Sequence, residues 1–163
     1  MSDYPCTARN LAHYVVDKCA VAGDPVSNLQ LQKILYFLQF VFCKKTGNLL
    51  FGEQFSAWPY GPVIERIYNE YRIYGGSKIN RTYPSASDSI PHQIQPFIDN
   101  GIEYLSHRSP WDLVASSHAE GSPWARVWNE GNGYKNVISN QLIMTAARRK
   151  GSLKRRRVRA VSA

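Results

Sequence analysis

Residues 27–47, SNLQLQKILYFLQFVFCKKTG, constrain the fold more than any other part of the chain. Ser27 and Gln30 form an S-x-x-Q capping box, with Val26 and Leu31 at the hydrophobic-staple positions. Lys44 and Lys45 fall in the last turn, where cations complement the helix dipole, and Gly47 stands where a terminating glycine belongs. Between these signals, Leu31, Ile34, Leu35, Leu38 and Phe42 make one stripe, while Leu29, Tyr36, Phe37 and Phe40 occupy other faces. A helix apolar nearly all round must be wrapped by neighbours. The segment therefore predicts a central helix over 27–46.

The rest of the chain supplies those neighbours. Residues 7–21 place Ala8, Leu11, Ala12, Val15 and Cys19 on one helical face. Residues 49–58 read as a short extended or hairpin insert, broken by Gly52. Gly61-Pro62 is then expected to start a helix, since proline suits the first helical position. Ile64, Ile67, Tyr68, Tyr71 and Tyr74 would be its buried stripe, ended by Gly75-Gly76. A loop over 77–91 precedes a helix near Gln95, with Ile98, Ile102 and Leu105 spaced for the core. Ser-Pro-Trp occurs at 109–111 and again at 122–124, each with serine at the cap and proline at the first position. Helices over 110–117 and 123–129 follow, and a last one starts at Ser139. The expected fold is mostly α, a compact bundle of about seven helices around the central one, with the extended insert near 49–58.

The net charge of +8 is not spread over this bundle. Residues 148–163, RRKGSLKRRRVRAVSA, hold Arg148, Arg149, Lys150, Lys154, Arg155, Arg156, Arg157 and Arg159, and no acid. Removing those eight from 20 basic residues leaves 12 against 12 acidic ones in residues 1–147. The organisation expected is a neutral helical domain over 1–147 and a basic tail, disordered when free, that suits phosphate. No apolar run approaches the ~20 residues that span a bilayer, and no secretory leader opens the sequence. Cys6, Cys19 and Cys43 form no Cys-x-x-Cys pair, which points to free thiols and a cytoplasmic protein.

The stretch SSHAEGSPW, 116–124, looks chemical but lacks the spacing chemistry needs. Residues two apart on a helix point ~200° from each other, so His118 and Glu120 could not face one ligand there. A helical zinc motif needs a second histidine at 122, which is serine. A deaminase needs a downstream Pro-Cys-x-x-Cys, and no cysteine follows Cys43. No P-loop, dinucleotide fingerprint or nucleophile elbow is present. The sequence thus predicts no enzyme, cofactor or metal. His118 at one helix end and Glu120 before the next helix start would instead brace a corner or meet a partner, with Trp124 packed beneath. A second cluster, AWPYGPVIERIY at 57–68, puts Trp58 and Tyr60 around a proline, either as core or as a rigid aromatic surface for binding.

The segments LQLQKILYFLQFVF, AWPYGPVIERIYNEYRIYG and SSHAEGSPWARV, in this order and spacing, resemble the Panacea domain of SocA-like antitoxins and phage-associated relatives. The likeness covers about residues 7–145. It implies a small, mainly helical, non-catalytic protein, bacterial or phage-encoded, that neutralises a cognate protein toxin by binding it. Lys33 and Tyr36 match the family's second-helix motif. Trp58, Tyr60, Gly61 and Pro62 match its central motif, and His118, Glu120, Pro123 and Trp124 its C-terminal one. Neutralisation could work by masking the toxin or by delivering it to a protease. The second reading is a nucleic-acid-binding regulator or phage-associated factor using the tail, although no recognition helix stands out within the neutral body.

Overall fold

A computed structural model of the chain describes residues 3–149. Its elements are helix α1 (Ala8–Val21), helix α2 (Asn28–Thr46), strands β1 (Phe55–Trp58) and β2 (Gly61–Val63), helices α3 (Glu65–Glu70), α4 (Gln95–Ser106), α5 (Pro110–Ser117) and α6 (Pro123–Trp128), and strand β3 (Val137–Ile138). A last helix, α7, begins at 140 and continues to 149. The fold is mostly α, as the periodicity predicts, with a small antiparallel sheet of order β2-β1-β3 set against the helices.

α2 is the centre. The Ser27–Gln30 capping box is formed in both directions, and Gly47 closes the helix in the left-handed region at φ 76°. Leu31, Ile34, Leu35 and Leu38 are almost wholly buried, each contributing on the order of 2 kcal/mol of apolar burial. α1, α4, α5 and β2 pack around it. α1 starts at Thr7, whose hydroxyl accepts from the Asn10 N–H at 3.1 Å, while the Ala8 N–H donates to the Glu53 carboxylate.

Asn28, Gln32, Lys33 and Gln39 of α2 are as buried as its apolar residues, and each holds the backbone of a neighbouring segment. Gln39 accepts from the Leu50 N–H at 2.7 Å and donates to the Phe51 carbonyl at 2.8 Å. Gln32 accepts from the Ile64 N–H at 2.9 Å, and Asn28 donates to the Tyr68 carbonyl at 3.1 Å. Buried polar groups need partners. Here the partners are the irregular segments around 50 and 64, so α2 fixes where the sheet and α3 begin.

One expectation is corrected. Gly61-Pro62 does not start a helix: both residues lie in β2, with Pro62 opposite Ala57 and Gly61 opposite Trp58. α3 begins only at Glu65 and is short, and Arg72–Tyr74 continues it as a 3-10 turn before Gly75. Pro62 is tolerated because β2 is an edge strand, where a missing N–H breaks no ladder. The insert is therefore a hairpin, with Pro59-Tyr60 as its two-residue turn and β3 pairing on the other side of β1.

The 77–91 segment is fastened at several points. Ile79 is buried and its N–H donates to the Val26 carbonyl at 2.7 Å. The Tyr83 N–H donates to the Asp17 carboxylate at 2.7 Å, its ring stacks on His13 and its hydroxyl meets that of Tyr71 at 2.9 Å.

Candidate functional site

The three motif segments converge on one point, where the hairpin meets α2 and the α5–α6 corner. Lys33 projects from the middle of α2 and is fully buried. Its Nζ donates to the Pro62 carbonyl at 2.8 Å, and burial pulls its pKa down to about 7. No ion pair joins it to a carboxylate among the described residues.

Gly61 lies directly against this group. A Cβ at position 61 would sit 2.5 Å from Ser117 Oγ and 2.7 Å from Lys33 Cε, and its φ of 109° is one that side chains rarely adopt. Only glycine lets the hairpin approach so closely. Ser117 is buried too, its hydroxyl donating to the Val114 carbonyl at 2.8 Å.

His118 caps α5 and stacks flat on Trp124, 3.7 Å between centroids and 6° between planes. Trp124 stacks in turn on Trp128 at 5.3 Å, and its indole N–H donates to the Trp58 carbonyl at 2.7 Å. The His118 pKa is lowered, first by desolvation and then by the nearby Lys33 charge. Its Nε2 is buried and has no hydrogen-bond partner. His118 thus does not use Nε2 to bind a helix-end carbonyl. Its ring braces the corner by stacking on Trp124.

Glu120 is exposed and is not the cap of α6, since Ser122 accepts from the Ala125 N–H at 3.1 Å. With Tyr36 and Pro123 it lines a separate pocket between α2, the corner and α7. The structure therefore brings Lys33, Trp58, Gly61, Pro62, His118 and Trp124 together and places Tyr36, Glu120 and Pro123 beside them, facing another opening.

Tyr60 stands outside both groups. It is 56% exposed at the hairpin tip and meets Trp111, 60% exposed, edge to face at 5.4 Å and 80°. Trp58 is half-buried between Tyr68 and Tyr134, with its indole N–H unpartnered. These rings line a groove of about 560 Å³ that also takes in Pro59, Val63 and Pro110. Trp111 was legible only as a helix-start residue, and Ser117 carried no signal of its own. Of the basic run, Arg148 and Arg149 are exposed, the former donating to the Gly47 carbonyl at 3.2 Å. Lys150, Lys154, Arg155, Arg156, Arg157 and Arg159 lie outside the described residues. Among the described residues no cluster of His, Cys, Asp and Glu has the arrangement of a metal site, and no helix is long and apolar enough to cross a membrane.

A buried lysine and a histidine–tryptophan stack clamp a hairpin to a helical core, and the hairpin tip presents aromatic rings to solvent. That is a mainly helical scaffold with a hairpin turn held against it. The family described as antitoxin SocA-like, Panacea domain, matches residues 31–125, a span that includes every motif residue of the site. Antitoxin SocA of Caulobacter vibrioides (strain NA1000 / CB15N) is 36% identical over 132 residues, covering 75% of this chain and 70% of that protein. The chain belongs to the SocA-like, Panacea-domain antitoxin family. No solved structure matches it.

Proposed function

We propose that the protein is an antitoxin that neutralises a cognate protein toxin by direct, non-catalytic binding, and that the toxin docks on the hairpin tip. The observation that carries this is the exposed Tyr60–Trp111 pair at the hairpin tip. Its two strands are tied to the core by Lys33 on one side and by Trp124 on the other. Large rings held rigidly lose little entropy on binding, which is why tyrosine and tryptophan dominate interface energetics.

The test pairs the chain with each protein encoded beside it as a candidate toxin and reads growth protection and affinity together. Tyr60→Ala is expected to keep the melting temperature within a few degrees, because an exposed ring contributes little to the core. Affinity should fall by about thirtyfold, corresponding to roughly 2 kcal/mol for a central aromatic anchor. Trp111→Ala should act in the same direction. A folded Tyr60→Ala protein that still protects cells fully would move the contact elsewhere. Unfolding would instead make Tyr60 a structural residue.

A further inference from the structure

The pocket that takes Tyr36, Glu120 and Pro123 is unlike the aromatic groove. Its floor is Tyr36, Phe37, Phe40 and Leu142, and its volume is about 160 Å³. An apolar cavity of about 150 Å³ holds a benzene ring, so this one admits a single leucine- or phenylalanine-sized side chain. The charges at its mouth are Arg126, Arg149 and Glu120, all exposed.

Among the described residues neither arginine forms an ion pair with a carboxylate. Arg126 Nε donates to the Gly121 carbonyl at 3.2 Å, which leaves most of the five guanidinium donors unused. The described chain also ends at this mouth, with Arg149. Lys150, Lys154, Arg155, Arg156, Arg157 and Arg159 follow within the remaining sequence, with no acid among them.

An apolar hole framed by two arginines without carboxylate partners among the described residues complements a particular kind of partner. We propose that this pocket docks an acidic peptide segment of a partner protein, seating one large apolar side chain against α2 and α7 while flanking carboxylates meet Arg126 and Arg149. Arginine suits that role, since its planar fork pairs a carboxylate through two hydrogen bonds. Glu120, the one acid of the lining, is placed to accept a main-chain N–H from the same segment. Nucleic acid would satisfy the cations but would leave the apolar floor unfilled.

The experiment selects peptides from a random displayed library on the full chain, then measures the enriched peptide in labelled form by fluorescence anisotropy. Enriched sequences should share a phenylalanine, leucine or tryptophan flanked by aspartate or glutamate. Arg126→Glu with Arg149→Glu should weaken binding by about tenfold or more, or about 1.4 kcal/mol, with thermal unfolding unchanged. Ala146→Phe, which fills the pocket from α7, should abolish binding, and Tyr60→Ala should leave it unaltered. Toxin protection is a separate readout, so failure of the hairpin contact would not be mistaken for failure of this pocket. Enriched peptides without acidic or apolar bias would overturn the proposal. So would binding that survives both pocket variants or is lost with Tyr60→Ala. Charge-reversal variants that lose only duplex DNA, with no peptide enriched, would assign the cations to nucleic acid and overturn it as well.

Discussion

Lys33 is a cation placed where the rest of the core is neutral, with one carbonyl as its hydrogen-bond partner. Burial favours its uncharged form and brings its pKa down from 10.5 to about 7. Between those two values the unfolded chain holds a proton that the folded chain has released, so stability rises with pH across that window. Lys33→Met removes the rise. Relative to the parent protein, the variant should gain most at pH 6, and the gain should shrink by a few kcal/mol on going to pH 10. At the upper end the lost bond to the Pro62 carbonyl, about 1 kcal/mol, should dominate. Urea unfolding at several pH values reads the difference, and parallel profiles would show that Lys33 is not buried as described. The same substitution takes a positive charge away from His118. Because that charge helps depress the His118 pKa, the pKa should move up toward the ordinary histidine value, visible in an NMR titration of the imidazole. In the parent protein His118 acts with the same sign at lower pH: stability falls as pH drops below about 6.5, where the unfolded histidine takes up its proton first.

At the scale of elements, the hairpin depends on Gly61. Gly61→Ala adds a backbone strain of about 1–3 kcal/mol for a residue at positive φ, together with the overlap on Ser117 Oγ and Lys33 Cε. Thermal unfolding should drop by several degrees, at about 2–4 °C per kcal/mol for a chain of this size. Replacing Ser117 by alanine in the same protein removes one of the clashing atoms and should recover part of the loss. A double-mutant cycle in which the two changes simply add would count against the close approach. The sequence showed the helices better than it showed this junction. Caps and period settle α1, α2, α4, α5 and α6 locally, because serine, threonine, proline and glycine act within one turn of where they stand. Gly61-Pro62 carries the same letters as a helix start but is drawn into β2 by a partner strand and by Lys33, both distant in sequence. The repeated Ser-Pro-Trp shows the same limit. Trp111 and Trp124 hold equivalent positions at two helix starts, yet one is exposed and the other buried. Only the packing of Trp124 between His118 and Trp128, with the Trp58 carbonyl at its N–H, separates them. Of the residues that the family resemblance singled out, Lys33, Trp58, Gly61, Pro62, His118 and Trp124 meet, whereas Tyr36, Tyr60, Glu120 and Pro123 lie apart from them, a division that no motif spacing carries.

Over the whole molecule, charge and shape are divided between two regions. Residues 1–147 balance acids and bases, the excess sits in residues 148–163, and Arg149 of that run lines the pocket. Long-range attraction and short-range fit should therefore act on different steps of partner binding. Charges outside the contact mainly raise the encounter rate, and a filled apolar pocket mainly slows escape. A chain ending at Arg149 loses six of the cations that make up the net +8, leaving +2. Its thermal unfolding should match that of the full chain, since the buried cluster draws on residues up to Ala147. Association with the selected acidic peptide should slow by about tenfold at low ionic strength. The difference should shrink toward zero near 1 M salt, where screening acts within about 3 Å. Dissociation should be unchanged, because Arg126, Arg149 and the apolar floor are all retained. Stopped-flow measurement at several salt concentrations separates the two rates. A faster dissociation in the shortened chain would mean that residues 150–163 touch the bound peptide directly, and a lower melting temperature would mean that they belong to the fold.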